Sequence, residues 1–120
     1  MVRAKVYLRE EISAAHRLFL PYESKCKYLH GHNYLVEVWV EGEVLEDGMV
    51  MDFSHIKAVI KEYDHMLLNE KIAQPTAENL ALEIAGDIVE MAKLKKRKIY
   101  NVKVRVWEDR DSYAEVEKVV

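Results

Sequence analysis

Two histidines separated by one glycine, His30 and His32, are the residues of this sequence best suited to bind a metal. If the chain is extended there, both imidazoles project to the same face, because successive side chains of a strand point to opposite faces. Gly31 between them leaves that side of the chain open. Two imidazoles on one face suit zinc, which binds histidine nitrogens at about 2.0–2.1 Å.

His16 is the candidate for a third metal ligand. It follows the first stretch of alternating residues. If the first two strands pair as a hairpin, the end of one lies near the start of the next, which brings His16 toward His30 and His32. Three neutral histidines leave a fourth zinc position open, as in catalytic sites. A single histidine is more often a surface or hydrogen-bonded core residue, so the metal prediction depends on all three coming together.

Cys26, the only cysteine, lies four residues before His30. It could be a fourth zinc ligand, which would make the site a closed structural one. It could instead be a thiolate that acts as a base, since a nearby metal and cationic groups favour the ionised sulfur. It could also be an inert buried thiol. The residues alone leave these three alternatives open.

Two further positions carry carboxylates suited to chemistry. Asp64 and His65 form an adjacent acid–imidazole pair, in which the carboxylate can orient the ring and support proton transfer. A capping aspartate beside a solvated histidine is the more common meaning of such a pair. Glu108, at the end of a predicted strand, could accept two hydrogen bonds from an amino-pyrimidine edge, or be an ordinary surface glutamate. His55 is expected to be a solvated residue at a helix N-terminus.

Composition limits the kind of protein. The chain has 120 residues, of which 50% are hydrophobic and 32% charged, with a formal net charge of −3. We therefore expect one folded domain over residues 1–120 and no nucleic-acid or membrane partner. No apolar run reaches transmembrane length and no secretory signal is evident, which together with the single cysteine predicts a cytoplasmic protein. The basic residues between Lys93 and Lys98 are expected to form a solvated helix end, since no aromatic residues interleave with them.

Periodicity predicts the elements that position these residues. Apolar–polar alternation predicts four strands, over residues 2–8 with an extension toward 12, over 32–41, over 102–106 and over 114–118. Helical spacing predicts one helix over Ile56–Tyr63, capped by Asp52 or Ser54, and another from Pro75-Thr76 to about Met91. The order β-β-α-α-β-β predicts an α+β fold, with two helices on one face of a four-stranded antiparallel sheet. The two unpaired sheet edges favour association with another copy.

Six segments in order resemble the 6-pyruvoyl-tetrahydropterin synthase family over nearly the whole chain. These segments are Ala14-Ala-His16, Cys26-x-x-x-His30-Gly-His32-Asn-Tyr34, Gly48-Met-Val-Met-Asp52-Phe53, Tyr63-Asp64-His65-Met-Leu-Leu-Asn69, Pro75-Thr76-Ala77-Glu78-Asn79 and Val106-Trp-Glu108. The resemblance implies the tunnelling fold, in which trimers close their sheets into a barrel and two trimers stack as a homohexamer with active sites at subunit interfaces. It also implies Zn²⁺ bound by His16, His30 and His32.

The same resemblance implies roles for five further residues. It gives Cys26 a part in proton transfer, with Asp64 and His65 as a partner dyad supplied by a neighbouring subunit. It implies that Glu108 anchors the pterin and that Thr76 is a second substrate-binding residue. The family's substrate is 7,8-dihydroneopterin triphosphate.

The family branches by product. The spacing of Cys26, His30 and His32 is similar to that of the 6-carboxy-5,6,7,8-tetrahydropterin synthase branch, which serves queuosine biosynthesis and releases acetaldehyde and triphosphate. One alternative is the 6-pyruvoyl branch, which eliminates triphosphate without carbon–carbon cleavage and usually has two more residues between cysteine and histidine. A branch with glutamate in place of the cysteine yields 6-hydroxymethyl-dihydropterin, and Cys26 argues against it. An alternative from another class is a non-catalytic, zinc-stabilised oligomeric domain.

One segment departs from the family pattern. Threonine often follows the glutamate that Glu108 matches, whereas this chain has Asp109-Arg110-Asp111 there. We expect these charges to alter the rim of the pterin pocket.

Overall fold

Two helices pack on one face of a five-stranded sheet in the computed structural model, which describes residues 1–120. The strands and helices in chain order are β1 (Arg3–His16), β2 (His30–Glu43), α1 (Phe53–Lys61), β3 (Met66–Leu67), α2 (Ala77–Leu94), β4 (Ile99–Asp109) and β5 (Ser112–Val119). Short 3₁₀ turns occupy Lys25–Lys27 and Leu68–Glu70. The predicted α+β class is confirmed.

A long hairpin of β1 and β2 forms the centre of the sheet, whose strand order is β3-β1-β2-β4-β5. The two strands pair antiparallel without interruption, from Arg3 opposite Glu43 to His16 opposite His30. Both strands therefore extend further than the alternation indicated at the end of the hairpin where the histidines lie. The extension places all three candidate histidines inside the sheet, where backbone pairing fixes their positions.

The prediction of four antiparallel strands is wrong by one short strand. Residues Met66–Leu67 form β3, which pairs parallel to β1 opposite Ala14 and Ala15. His65, just before it, has a positive φ of 58°, and its N–H donates to the Ser13 carbonyl at 2.6 Å. This reversal brings the chain alongside β1. Two residues are too few to show a period, so the alternation could not reveal the strand.

One hydrophobic core of 26 buried residues lies between the sheet and the helices. The sheet contributes alternate residues of β2 and β4, as the period of two predicts. The buried residues include Tyr34, Val36, Val38 and Val40 from β2, Val102, Val104 and Val106 from β4, and Ile56, Ile60, Leu80, Ile84 and Ile88 from the helices. His30 and His32 share the parity of Tyr34, so they extend the core face beyond the end of the apolar packing.

Side-chain caps set where both helices begin. The Asp52 carboxylate accepts the Ser54 N–H at 2.8 Å, so α1 starts at Phe53, three residues earlier than predicted, and it ends at Lys61, two residues earlier. Thr76 caps α2 by accepting the Asn79 N–H at 3.1 Å, so the helix begins beside the predicted Pro75-Thr76 start, and it ends at Leu94, three residues beyond Met91. Neither helix has the length and apolarity needed to cross a membrane.

The basic segment after α2 is more structured than expected. The Arg97 guanidinium forms a bidentate ion pair with Asp47, at 2.8 and 2.9 Å, and donates to the Val50 carbonyl at 3.1 Å. Its side chain is only 12% exposed. Lys98 pairs with Glu43 at 3.4 Å. Arg97 therefore anchors the connection between β2 and α1 and is not part of a free basic patch.

Candidate metal centre and active site

The hairpin register brings the three histidines together, as the sequence predicted. His16 at the end of β1 faces His30 at the start of β2, and His32 lies opposite Ala14, two residues further along. The potential ligand nitrogens of the three rings all lie within 4.8 Å of one another. His16 is fully buried, whereas His30 and His32 are partly exposed. The group is therefore rooted in the core and open on one side.

Backbone carbonyls determine which nitrogen each ring presents. Nδ1 of His16 lies 2.7 Å from the Pro75 carbonyl, and Nδ1 of His30 lies 2.7 Å from the Tyr28 carbonyl. Because a carbonyl oxygen only accepts, each Nδ1 carries a proton, which leaves the lone pair of each neutral ring on Nε2. Those two Nε2 atoms face each other at 3.0 Å. The Nε2 of His32 is buried and has no hydrogen-bond partner.

Two lone pairs that face each other at 3.0 Å, with a nitrogen of the third ring within 4.8 Å, favour a cation between the rings, either a proton or a metal ion. The donor set of three neutral imidazoles suits zinc, copper, iron or nickel better than magnesium or calcium, which prefer oxygen ligands. Orientation of the outer ring nitrogens by carbonyls is also the usual support for histidine ligands. The residues therefore fit a transition-metal site.

Glu108 lies beside the histidines and not on a remote surface. Its Oε1 is 3.5 Å from Nε2 of His32, a distance at which charge acts although no hydrogen bond forms. Burial lowers the pKa of His32 from 6.5, and Glu108 partly opposes this. The Tyr34 hydroxyl lies 3.3 Å from Nδ1 of His16, and burial raises the pKa of Tyr34, so that hydroxyl stays protonated.

Asp64 and His65 form the predicted pair within the chain. Asp64 Oδ1 accepts the Ser13 N–H at 2.8 Å and lies 3.0 Å from Nδ1 of His65. The pKa of Asp64 is lowered, chiefly because its carboxylate accepts the Ser13 N–H. The neighbouring His65 and Lys61 lower it further. The His65 ring is 81% exposed. His65 and His32 line the same open cleft, of about 490 Å³, so the dyad and the histidine group border one space.

Cys26 lies in the Lys25–Lys27 turn of the loop between β1 and β2 and is partly buried. The group of mutually close ligand atoms contains the three histidines and does not include its sulfur. Its backbone carbonyl accepts the Leu18 N–H at 2.8 Å. The geometry gives no support to the closed four-ligand alternative.

Thr76 and His55 have surroundings that the sequence described only in part. The Thr76 hydroxyl caps α2, and the next two residues, Ala77 and Glu78, line a cleft of about 210 Å³ together with Glu108. Nδ1 of His55 is buried and has no hydrogen-bond partner, so the expected solvation of that ring is wrong for this nitrogen.

The sequence analysis missed the groups that hold the site in place. The carbonyls of Tyr28 and Pro75 orient two rings, and the side-chain amides of Asn69 and Gln74 bind the loop before Cys26. Backbone carbonyls leave no signal in residue types. Asn69 ends one of the six segments that resemble the family, and no other feature of the sequence indicated a role for it.

A mostly antiparallel sheet backed by two helices, with convergent histidine nitrogens beside a carboxylate and an acid–imidazole pair, defines a candidate metalloenzyme. Residues 5–119 match the sequence model of the 6-pyruvoyl tetrahydropterin synthase family. The chain belongs to this family. Its members named as tetrahydropterin synthases are lyases, and the chain is an enzyme of that kind.

Two relatives and one solved structure illustrate what the chain is similar to. A Pyrococcus horikoshii protein named "Putative 6-carboxy-5,6,7,8-tetrahydropterin synthase" is 39% identical, over 97% of this chain and 91% of that protein. A Pyrococcus furiosus protein named dihydroneopterin monophosphate aldolase is 40% identical, over 72% of this chain and 76% of that protein. The structure of 6-pyruvoyl tetrahydropterin synthase from Plasmodium vivax has the same fold, with a TM-score of 0.77 at 22% identity and full coverage of both chains.

Proposed function

We propose that this chain is a zinc-dependent 6-carboxy-5,6,7,8-tetrahydropterin synthase, which converts 7,8-dihydroneopterin triphosphate with release of acetaldehyde and triphosphate. The observation that carries the proposal is the convergence of one ring nitrogen from each of the three histidines beside the Glu108 carboxylate. The spacing of Cys26 from the histidines and the names of several relatives favour this branch over the 6-pyruvoyl one.

The histidines hold the metal in this proposal. His16, His30 and His32 would hold Zn²⁺, and the Pro75 and Tyr28 carbonyls, which accept from Nδ1 of the first two rings, leave Nε2 of His16 and His30 free for the metal. Bound zinc supplies a Lewis acid that acidifies C–H and O–H groups of the substrate side chain. The fully buried His16 gives the site one rigid wall, since its ring cannot leave without disturbing the core.

Glu108 fixes the pterin ring. A carboxylate accepts two parallel hydrogen bonds from the ring N–H and the exocyclic amino group of the pterin, a strong and directional pair. Because Glu108 lies 3.5 Å from His32, a pterin held there presents its side chain to the histidine group. Ala77 and Glu78 border the same cleft, and Thr76 precedes them as the proposed second contact.

Cys26, Asp64 and His65 move protons between neighbouring carbons of the substrate. Asp64 accepts the Nδ1–H of His65 and so leaves Nε2 to take or return a proton. The exposed His65 ring borders the cleft that His32 also lines. Cys26 acts as the second proton-transfer group, because two such groups let one proton leave a carbon while another is delivered to the next.

We include assembly and location in the proposal. β5 forms one free edge of the sheet, and β1 is covered by β3 only at Ala14 and Ala15, so both edges can pair with other copies. The proposed homohexamer, a dimer of trimers, would place the site at a subunit interface. The proposed location is the cytoplasm.

Product analysis tests the proposed reaction. Zinc-loaded protein is incubated with 7,8-dihydroneopterin triphosphate, and the products are identified by mass spectrometry with an acetaldehyde assay. We expect 6-carboxy-5,6,7,8-tetrahydropterin and acetaldehyde. A 6-pyruvoyl product would move the chain to the other branch, and 6-hydroxymethyl-dihydropterin would place it with the branch that has glutamate in place of the cysteine. Bound zinc without any turnover would favour a non-catalytic domain.

Matched variants test the residue roles in the same assay. Cys26→Ala and His65→Ala are expected to abolish turnover and to retain zinc, because neither residue belongs to the ligand group. His55→Ala is the matched histidine control and is expected to keep full activity, since that ring lies in α1. Full activity in Cys26→Ala would contradict the assigned role of the thiol.

A further inference from the structure

The loop that carries Cys26 is bound at its start by two side-chain amides. Asn69 accepts the Arg17 N–H at 2.9 Å through Oδ1 and donates to the Arg17 carbonyl at 2.9 Å through Nδ2. Gln74 repeats the pattern at Phe19, where Oε1 accepts the N–H at 2.9 Å and Nε2 donates to the carbonyl at 3.0 Å. Each amide therefore behaves as one residue of a neighbouring strand would.

The residue between the two bound positions reaches Cys26. In an extended segment, the N–H and C=O groups of successive residues point to opposite sides, so those of every second residue share a side. Arg17 and Phe19 direct theirs to the amides, and Leu18 directs its N–H to the other side, where it donates to the Cys26 carbonyl at 2.8 Å. A continuous row of hydrogen bonds thus leads from the two amides, through the segment 17–19, to the backbone of Cys26.

Both amides stand on parts of the chain that already serve the site. Asn69 lies in the 3₁₀ turn that follows Asp64 and β3. The Gln74 carbonyl accepts a hydrogen bond from the Asn79 side chain at 2.8 Å. The next residue, Pro75, supplies the carbonyl that orients His16. The cysteine loop is therefore tied to the same turn that orients the buried metal ligand.

The other hydrogen bonds near Cys26 do not fix it to the body of the protein. The Lys27 N–H bonds the Ser24 carbonyl at 3.2 Å and the Tyr28 N–H bonds the Lys25 carbonyl at 3.1 Å, and both bonds are internal to the loop. At the far end, His30 holds the Tyr28 carbonyl. The position of Cys26 along the loop thus depends on the amide contacts at the near end.

We propose that Asn69 and Gln74 are positioning residues that set the place of the Cys26 thiol relative to the histidine group. This inference rests on the proposed role of Cys26 in the reaction. Arg17 and Phe19 are exposed enough for water to replace lost amide contacts, so removal of an amide should cost little stability. The loop would then sample other positions. A displacement of about 1 Å at a reacting group can lower a rate by about 100-fold.

The experiment uses Asn69→Leu and Gln74→Leu in the zinc-loaded full chain, with Asn101→Leu as the matched control. Asn101 is an amide on β4 that donates to Glu117 at 2.9 Å, far along the sheet from the loop. Because Cys26 is the only cysteine, the rate of alkylation by iodoacetamide, followed by intact mass, reports on this thiol alone. Zinc content, thermal unfolding, kcat and KM are measured on the same samples.

We expect each Leu variant to alkylate about fivefold faster or more. We expect kcat to fall by about 10- to 100-fold, with KM and zinc content close to those of the parent protein. Asn69→Asp and Gln74→Glu keep the acceptor oxygen and lose the donor, so they should give intermediate values and should fold if the Leu variants do not. Asn101→Leu should change neither rate.

Several results would overturn the inference. Alkylation and kcat within twofold of the parent would show that the amides do not position the thiol. Faster alkylation with unchanged kcat would contradict the link to the reaction, and a fall in kcat that follows zinc loss would assign the amides a structural role. Failure of the proposed function itself looks different, because the parent protein would then not turn over the pterin while the alkylation rates would still differ.

Discussion

Replacement of His30 by alanine is the most informative single perturbation of the metal centre. His16 is fully buried, so its removal would leave a cavity. The loss of stability from that cavity could not be separated from the loss of the metal. His30 is partly exposed and bonds only the Tyr28 carbonyl besides facing His16 at 3.0 Å. Replacing it by alanine removes one metal ligand and the close contact between the Nε2 atoms of His30 and His16. It removes little apolar packing.

The expected shift in unfolding temperature follows from the free energy with which bound metal stabilises the folded state. A metal at 100 times its dissociation constant stabilises the folded state by about 2.7 kcal/mol. The unfolding entropy is about 2.1 cal/mol/K per residue, or about 250 cal/mol/K for 120 residues. Zinc should therefore raise the unfolding temperature of the parent protein by about 11 °C. A variant that binds 100-fold more weakly keeps about 0.4 kcal/mol, which is less than about 2 °C.

Thermal unfolding with and without zinc measures this difference, and a chelator defines the metal-free baseline. His55→Ala serves as the matched control, with the full zinc-dependent shift expected. We expect the metal-free His30→Ala protein to unfold at or slightly above the temperature of the metal-free parent, because the lone-pair contact with His16 is gone. A shift of about 11 °C in His30→Ala would refute the three-histidine site.

Three further predictions concern the remaining site residues. Glu108→Gln should raise KM for the pterin by about 10- to 100-fold, since a hydrogen bond to a charged group contributes about 1.5–3 kcal/mol, while zinc content stays constant; steady-state kinetics with metal analysis would contradict this if KM were unchanged. Asp64→Asn keeps an acceptor for the Ser13 N–H but loses the charge beside His65, so kcat should fall without metal loss, and an unaltered kcat would exclude the dyad from the reaction. Burial lowers the pKa of His32 from 6.5, so between the folded value and 6.5 the unfolded state binds more protons. Stability of the metal-free protein should therefore rise with pH up to about 6.5, whereas His32→Gln should show a flatter profile in the same melts.

The period of the strands revealed the face on which the histidines lie. Because side chains alternate, His30 and His32 had to share a side, and a hairpin had to bring His16 near them. The observed register confirms this, with His16 opposite His30. One core of 26 buried residues agrees with a single domain over residues 1–120, which stays a prediction.

Features without a period were beyond the reach of the sequence. β3 has two residues, and its place depends on the positive φ of His65 and on one bond to the Ser13 carbonyl. The Pro75 carbonyl selects the tautomer of His16 from 59 positions away along the chain. Long-range contacts of this kind depend on the assembled fold and not on local residue types.

For Cys26, too, the sequence indicated one part of the answer and the structure another. Its spacing from the histidines indicated nearness to the metal but left its role open among ligand, base and inert thiol. The structure holds the sulfur outside the ligand group and shows what fixes the loop. Proton transfer by Cys26 stays a proposal that the variant assays test.

X-ray absorption at the zinc edge of the zinc-loaded protein tests the central claim most directly, since the claim is a metal held by three histidines with an open fourth position. The account predicts nitrogen or oxygen neighbours at about 2.0–2.1 Å, with imidazole scattering and no sulfur. A sulfur neighbour at about 2.3 Å that disappears in Cys26→Ala would show a closed site with thiolate ligation and would contradict the catalytic arrangement proposed for His16, His30 and His32.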